Sequence, residues 1–241
     1  MKDLLLTQIN EIRELLYNSR HAVFFGGAGV STDSGIPDFR GAGGLYSTEG
    51  NEYFLSKSCL EKEPERFFEF YRKNMLFPEA LPNATHLALA ELEKKGILKA
   101  VITQNIDGLH QKAGSKNVIE LHGTTSRCYC VKCKRVFSGE IIEKTVEIPL
   151  CPLCGGNIRP DVTLYEEALD VFSLYEAENH IKKADVLIVG GTSLNVFPAA
   201  GFVADYDGAH LIIINLSSTP YDGHAEYVIR EGLSKVFRQL V

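Results

Sequence analysis

The stretch Phe25–Gly41, FGGAGVSTDSGIPDFRG, decides the fold. It grows out of an apolar run, His21 to Phe25, that reads as a buried strand. Gly26, Gly27, Ala28 and Gly29 follow at once, where only the smallest side chains stand. A strand that breaks into such a turn lets backbone N–H groups approach a pyrophosphate closely. The generic G-x-G-x-x-G pattern is incomplete, because Thr32 occupies the place of the third glycine. Beyond it, Ser31, Ser34, Asp38 and Arg40 supply hydroxyls, a carboxylate and a guanidinium, while Gly35 and Pro37 fix the backbone between them. The reading is a cofactor loop whose second half reaches the reacting end of the cofactor, set against a plain polar loop after a strand.

Outward from this stretch, Leu5, Ile9, Ile12, Leu15 and Leu16 predict an amphipathic helix over Leu4 to Tyr17 that covers a sheet. Residues Ala42 to Lys57 lack periodicity and read as a loop closing over the cofactor. Pro64 to Phe77 reads as a helix whose Phe67, Phe68, Phe70 and Tyr71 belong to a core, with an apolar groove as the alternative. Ala84 to Lys95 is a second helix, stopped by Gly96. The strand Ile97–Thr103 then runs into Gln104, Asn105, Ile106 and Asp107, and Gly108–Gly114 reads as a short helix or turn. In open parallel sheets ligands lie beyond the carboxyl ends of strands, so these amides and this carboxylate mark a candidate site. The strand Val118–Leu121 ends in His122 and Gly123. A histidine there, beside the preceding polar cluster, suits general-base work because imidazole titrates near neutral pH.

Farther on, the strand Ala184–Val189 leads to a second small-residue turn, Gly190-Gly191-Thr192-Ser193, and a helix beginning with Asn195, Val196, Pro198 and Ala199. His210–Ile214 is a strand ending at Asn215, and Val228, Ile229, Val236, Phe237 and Leu240 predict a closing strand and helix. Strands alternating with helices imply an α/β fold with a doubly wound parallel sheet.

Residues Cys128 to Arg159 break that grammar. Cys130-Val-Lys-Cys133 and Cys151-Pro-Leu-Cys154 are two C-x-x-C knuckles, the second followed by Gly155 and Gly156. Paired knuckles predict one zinc ion held by four thiolates, with no open coordination position, hence a structural metal. Redox cysteines or disulfides are the weaker alternative. Cys128 falls outside the knuckle spacing, and Cys59 reads as a small buried hydrophobe.

Composition narrows the classes. The 241 residues are 45% hydrophobic, enough for a large domain plus a small one. A net charge of -6 without a basic block argues against general nucleic-acid binding. No apolar run reaches membrane-span length, and the run Leu4–Leu6 is too short for a secretory signal. The expectation is a cytoplasmic protein with reduced cysteines and no membrane partner.

Taken together, the motifs resemble the sirtuin family of NAD-dependent protein lysine deacylases, of bacterial type. The likeness runs from about His21 to the C-terminus: GAG-x-S-x-x-SGIPDFRG at Gly27–Gly41, TQNID at Thr103–Asp107, LHG at Leu121–Gly123, the four cysteines, GTSL-x-V-x-PAA at Gly191–Ala200, and INL-x-x-TP at Ile214–Pro220. The resemblance implies a Rossmann-like NAD-binding domain from residues 1–36, 84–123 and 160–241. It also implies a small domain made of a helical insertion, 37–83, and a zinc ribbon, 124–159. It implies that Ala28, Gly29, Thr32, Phe39 and Arg40 meet the diphosphate, nicotinamide ribose or nicotinamide. Gln104, Asn105, Ile106 and Asp107 would form the nicotinamide and ribose pocket, and Thr192, Ser193 and Asn215 would hold the adenosine side. His122 would be the catalytic base, with Asn105 the other catalytic residue. Acetyl-lysine proteins or peptides would be the partners, and nicotinamide both product and inhibitor. The implied chemistry passes the acyl oxygen to C1′ of the NAD ribose as nicotinamide leaves, ending in free lysine and acyl-ADP-ribose. Protein mono-ADP-ribosylation, or a non-catalytic NAD-sensing module, are the competing functions.

Three departures from the family pattern bear on function. Gly26 stands where the family usually has Thr, which the turn should tolerate. Glu166 stands where V-x-F-G-E has glycine, in the segment expected to pair with the substrate backbone, so restricted φ or crowding of the peptide is expected. Members that remove succinyl groups carry Tyr-x-x-Arg, whereas Tyr71-Arg72-Lys73-Asn74 ends in an uncharged amide. Neutral acyl groups are therefore the expected substrates.

Overall fold

The computed structural model describes residues 2–38, 52–195 and 200–241. The chain opens with helix α1 (Lys2–Asn18) and strand β1 (Ala22–Gly26), continues through α2 (Lys57–Lys62), α3 (Pro64–Met75) and α4 (Ala84–Lys94), and enters β2 (Leu98–Thr103). After α5 (Leu109–Ala113) come β3 (Val118–Glu120), β4 (Gly123–Cys130), β5 (Val136–Ser138), α6 (Glu140–Lys144) and β6 (Ile158–Val162). The last part alternates α7 (Val171–Lys183), β7 (Val186–Gly190), α8 (Gly201–Ala204), β8 (His210–Ile214), β9 (Tyr227–Ile229) and α9 (Leu233–Phe237).

Six strands form one parallel sheet in the order β3-β2-β1-β7-β8-β9. This is a Rossmann-like, doubly wound arrangement, with its direction of winding reversing between β1 and β7. Period-two alternation explains how both faces are buried. Ala22 and Phe24 of β1 enter one core with α1, α4 and α9, through Ile9, Ile12, Leu16, Leu89, Leu92 and Phe237. Val23 and Phe25 enter the opposite core with Ala177 and Ile181 of α7 and Val203 of α8.

A third core lies outside the sheet. Leu55, Cys59, Phe67, Phe68, Tyr71 and Met75 from the helical stretch pack with Cys128, Ile142, Ile158, Val162 and Leu164. The strands here form a three-stranded antiparallel sheet, β5-β4-β6. The aromatic cluster of α3 is therefore core, as its sequence suggests: Phe67, Phe68 and Tyr71 are buried, and Phe70 stacks on Phe54. Arg72 fastens α3 to the ribbon by donating to the carbonyls of Ile142, Val146 and Glu147.

Strand and helix ends differ from the sequence reading by a residue or two, and α7 lies in a segment that the reading passed over. The expected loop over Ala42–Lys57 falls mostly outside the described residues, as do Phe39, Arg40 and the helix start at Val196, Pro198 and Ala199. Within that span, Tyr53–Leu55 form a 3-10 turn.

Candidate active site and zinc centre

The two small-residue turns meet where β1 and β7 end side by side. Gly29 N–H donates to the Gly191 carbonyl at 2.8 Å, and Gly27 N–H to the Gly190 carbonyl at 3.2 Å. A Cβ on Gly29 would lie 2.8 Å from the Gly191 Cα, so any larger residue would push the turns apart. The backbone approach that the sequence promised is thus built from two turns. Gly26 packs under the Phe24 ring, which takes the space a side chain would need.

Two hydrogen-bonded polar groups, adjacent in the chain at Gln104 and Asn105, line the carboxyl ends of β1, β2, β3 and β7. Ser31 Oγ donates to Asp107 Oδ2 at 2.6 Å and accepts from Asn105 Nδ2 at 3.1 Å. Asn105 is itself fixed by its N–H bond to Thr103 Oγ1 at 3.0 Å and is only 8% exposed. Gln104 Nε2 donates to Thr192 Oγ1 at 3.1 Å, joining the β2 end to the second turn. The Gln104 carbonyl receives a bond of 2.8 Å from His122 Nδ1. A carbonyl only accepts, so Nδ1 carries the proton and Nε2 of the neutral ring keeps its lone pair. Burial lowers the His122 pKa, against which the Gln104 bond works. The imidazole is therefore neutral at pH 7.

Gly123 explains how His122 comes to stand there. Its φ is +77°, and a Cβ would lie 2.2 Å from the Asp161 carbonyl oxygen. Only glycine lets β4 swing so close to β6 directly after the histidine.

The remaining expected residues divide. Ala28 and Gly29 lie in the first turn, Thr32 is exposed and donates to the Gly29 carbonyl, and Ile106 is half-buried against the third core. Ser193 stands in the second turn and Asn215 just past β8, their loops joined by the Gly191 N–H bond to the Ile214 carbonyl. Phe39 and Arg40 lie outside the described residues. Amides, hydroxyls and one carboxylate around two side-chain-poor turns are a donor set that fits a dinucleotide. The sequence singles out the Ser31 hydroxyl, but only the fold brings it between Asn105 and Asp107. Asn83, His86 and His110 lie in no sequence motif of the site.

Glu166 holds the conformation that glycine favours, with φ at +71°, where a side chain carries a backbone cost. Its carboxylate accepts from Ser58 N–H, in the first turn of α2, at 2.9 Å. The segment is further held by Tyr165 N–H to Leu55 O at 3.0 Å and Lys57 N–H to Tyr165 O at 3.1 Å. Arg159 clamps its far end, pairing bidentately with Glu167 at 2.6 and 2.8 Å.

The four knuckle cysteines converge, with all sulfurs within 4.8 Å of one another. Cys130 and Cys154 Sγ are 3.5 Å apart, and Cys133 and Cys151 Sγ 3.7 Å. A tetrahedron with Zn–S of about 2.3 Å has sulfur–sulfur edges of about 3.8 Å, so the sulfurs are already spaced for zinc. Cys128 stands apart: its thiol is buried, its pKa is pushed up to about 11 mainly by that burial, and it points at the Ser138 carbonyl.

Known proteins share this arrangement. The sequence profile of the Sir2 family matches residues 27–198. An NAD-dependent protein deacetylase of Clostridium acetobutylicum is 50% identical, covering 99% of this chain and 100% of the relative. One of Cutibacterium acnes is 51% identical, covering 93% of this chain and 94% of the relative. A solved Sir2 structure with a p53 peptide and NAD+ superposes with a TM-score of 0.86 at 40% identity, over 96% of both chains. A Sir2 structure bound to acetylated peptide gives 0.86 at 38% identity, again over 96% of both. Among the described residues no helix is long and apolar enough to cross a membrane. Sequence and fold agree: this chain belongs to the Sir2 family.

Proposed function

We propose that the protein removes acetyl groups from lysine side chains of proteins in an NAD-dependent reaction, giving nicotinamide, free lysine and acetyl-ADP-ribose. The observation that carries this reading is the pair of hydrogen-bonded groups, Ser31 with Asn105 and Asp107 and Gln104 with His122 and Thr192, where four strands end. NAD, when bound, supplies the ribose carbon that receives the acyl oxygen as nicotinamide leaves. Ala28, Gly29, Thr32, Phe39 and Arg40 would meet the diphosphate, the nicotinamide ribose or the nicotinamide. Gln104, Asn105, Ile106 and Asp107 enclose the nicotinamide and its ribose. Thr192, Ser193 and Asn215 hold the adenosine side. His122 takes a proton at Nε2, because Nδ1 is committed to the Gln104 carbonyl. Asn105, held from both sides and nearly enclosed, keeps its amide aimed with little reorganisation and helps keep water out.

Cys130, Cys133, Cys151 and Cys154 hold one structural zinc. The acyl-lysine peptide pairs within the segment 162–167, braced by Arg159 and Ser58. The third core supports reading residues 37–83 and 124–159 as one small domain beside the NAD-binding residues 1–36, 84–123 and 160–241. A cluster of four thiols suits a reducing compartment, which favours the cytoplasm. Incubation with NAD labelled on its adenylate and an acetylated peptide tests the reading. Peptide deacetylation with the label recovered in a small molecule is expected. Label on protein would make the enzyme an ADP-ribosyltransferase, and no turnover would make it a binding module.

A further inference from the structure

We infer that Asn83 is a positioning residue for the NAD-binding turn, acting from behind it. It belongs to no site motif, yet it spends both amide N–H groups there. Nδ2 donates to the Val30 carbonyl at 2.8 Å and to Ser34 Oγ at 3.0 Å. Oδ1 accepts from Thr85 N–H at 2.9 Å, capping α4, and from Ser234 Oγ of α9 at 3.4 Å. Its own N–H donates to His86 Nδ1 at 3.2 Å, closing a capping box.

The turn it grips is the one that carries Ser31. On the pocket side, Ser31 bonds to Asp107 and Asn105. On the far side, the neighbouring carbonyl of Val30 and the hydroxyl of Ser34 rest on Asn83. The 3-10 turns Ala28–Val30 and Thr32–Ser34 are therefore held between the site and the N-terminus of α4. Short 3-10 turns have poor internal hydrogen-bond geometry, so external bonds set their shape. Without Asn83, the Val30 carbonyl, on a residue only 1% exposed, loses its donor, and the turn must shift to find another. Ser31 then no longer holds Asp107 and Asn105 in place.

Two jobs meet in one side chain, and one substitution separates them. Asn83→Asp keeps the acceptor that caps α4, and aspartate is as good an N-cap as asparagine and favoured by the helix dipole. It removes both N–H donors and sets a carboxylate against the Val30 carbonyl. Ser34→Ala removes one partner on the turn without touching the cap.

The inference rests on the NAD-binding reading above. The experiment is steady-state kinetics with NAD and an acetylated peptide, NAD calorimetry, and thermal unfolding, on wild type, Asn83→Asp and Ser34→Ala. Asn83→Asp is expected to raise the NAD KM about tenfold, as loss of two hydrogen bonds implies, with the peptide KM kept and a modest fall in Tm from the orphaned Val30 carbonyl. Ser34→Ala should move the NAD KM the same way by less. An unchanged NAD KM in Asn83→Asp, an equal rise in both KM values, or a fall in Tm with the NAD KM unmoved would overturn the assignment. Wild-type protein that fails to bind NAD would refute the cofactor reading itself, a separate result from wild type binding normally and Asn83→Asp matching it.

Discussion

His122 shows how a backbone carbonyl fixes the tautomer of a side chain. The Gln104 carbonyl fixes the tautomer, and burial keeps the ring neutral. With its pKa below the ordinary 6.5, the unprotonated base persists through neutrality and is lost only as pH falls further. The kcat/KM profile should be flat near pH 7, with an acid limb below 6.5. His122→Ala should lower deacetylation by about a hundredfold to ten-thousandfold while calorimetry still detects NAD. The prediction on acyl groups belongs to the same scale. Arg72, the cation nearest in sequence to Tyr71, spends its guanidinium on the carbonyls of Ile142, Val146 and Glu147. Asn74 donates to the Phe70 carbonyl, and Tyr71 is buried. An acidic acyl group would thus meet no available cation from these residues, and a buried unpaired carboxylate is costly. Acetyl peptide should outrun succinyl peptide in kcat/KM, and Asn74→Arg should narrow the gap. Equal rates in the wild type would contradict this.

At the scale of elements, the ribbon and the paired histidines carry the predictions. Cys133→Ala should lose stoichiometric zinc and unfold the ribbon, which metal analysis and circular dichroism would show. His86 and His110 are buried with ring centroids 4.8 Å apart. Burial lowers their pKa values to about 4 and about 3, with Asp107 opposing the shift in His86 and His86 adding to that in His110. The unfolded chain takes up protons near 6.5 and the folded rings refuse them, so stability is full above that pH and falls as pH drops towards 4. Each ring should cost up to about 2 kcal/mol between pH 7 and 5. Urea unfolding at the two pH values checks this, and equal free energies would contradict it. Legibility also varied by element. Strand β8 was readable to the residue because its apolar run is continuous. Helix α7 was not: its buried stripe of Leu174, Ala177 and Ile181 is masked by Val171, Phe172 and Tyr175, all largely exposed. Its Asp170 cap, which accepts from Ser173 N–H at 2.7 Å, was the available signal.

For the whole molecule, the sequence exposed the polar ends of strands but not their neighbours. Parallel pairing of β1 with both β2 and β7 depends on long-range packing of two buried faces, which no local pattern encodes. The same holds for Asn83 and Glu166, whose partners Val30 and Ser58 lie far away in sequence. The central claim concerns how the parts act together: NAD is consumed only as an acetyl group leaves lysine. Quantifying nicotinamide, free-lysine peptide and acetyl-ADP-ribose in one reaction mixture tests it most directly. Equal molar amounts at every time point are predicted. Nicotinamide formed without deacetylated peptide, or acetate released in place of acetyl-ADP-ribose, would contradict it.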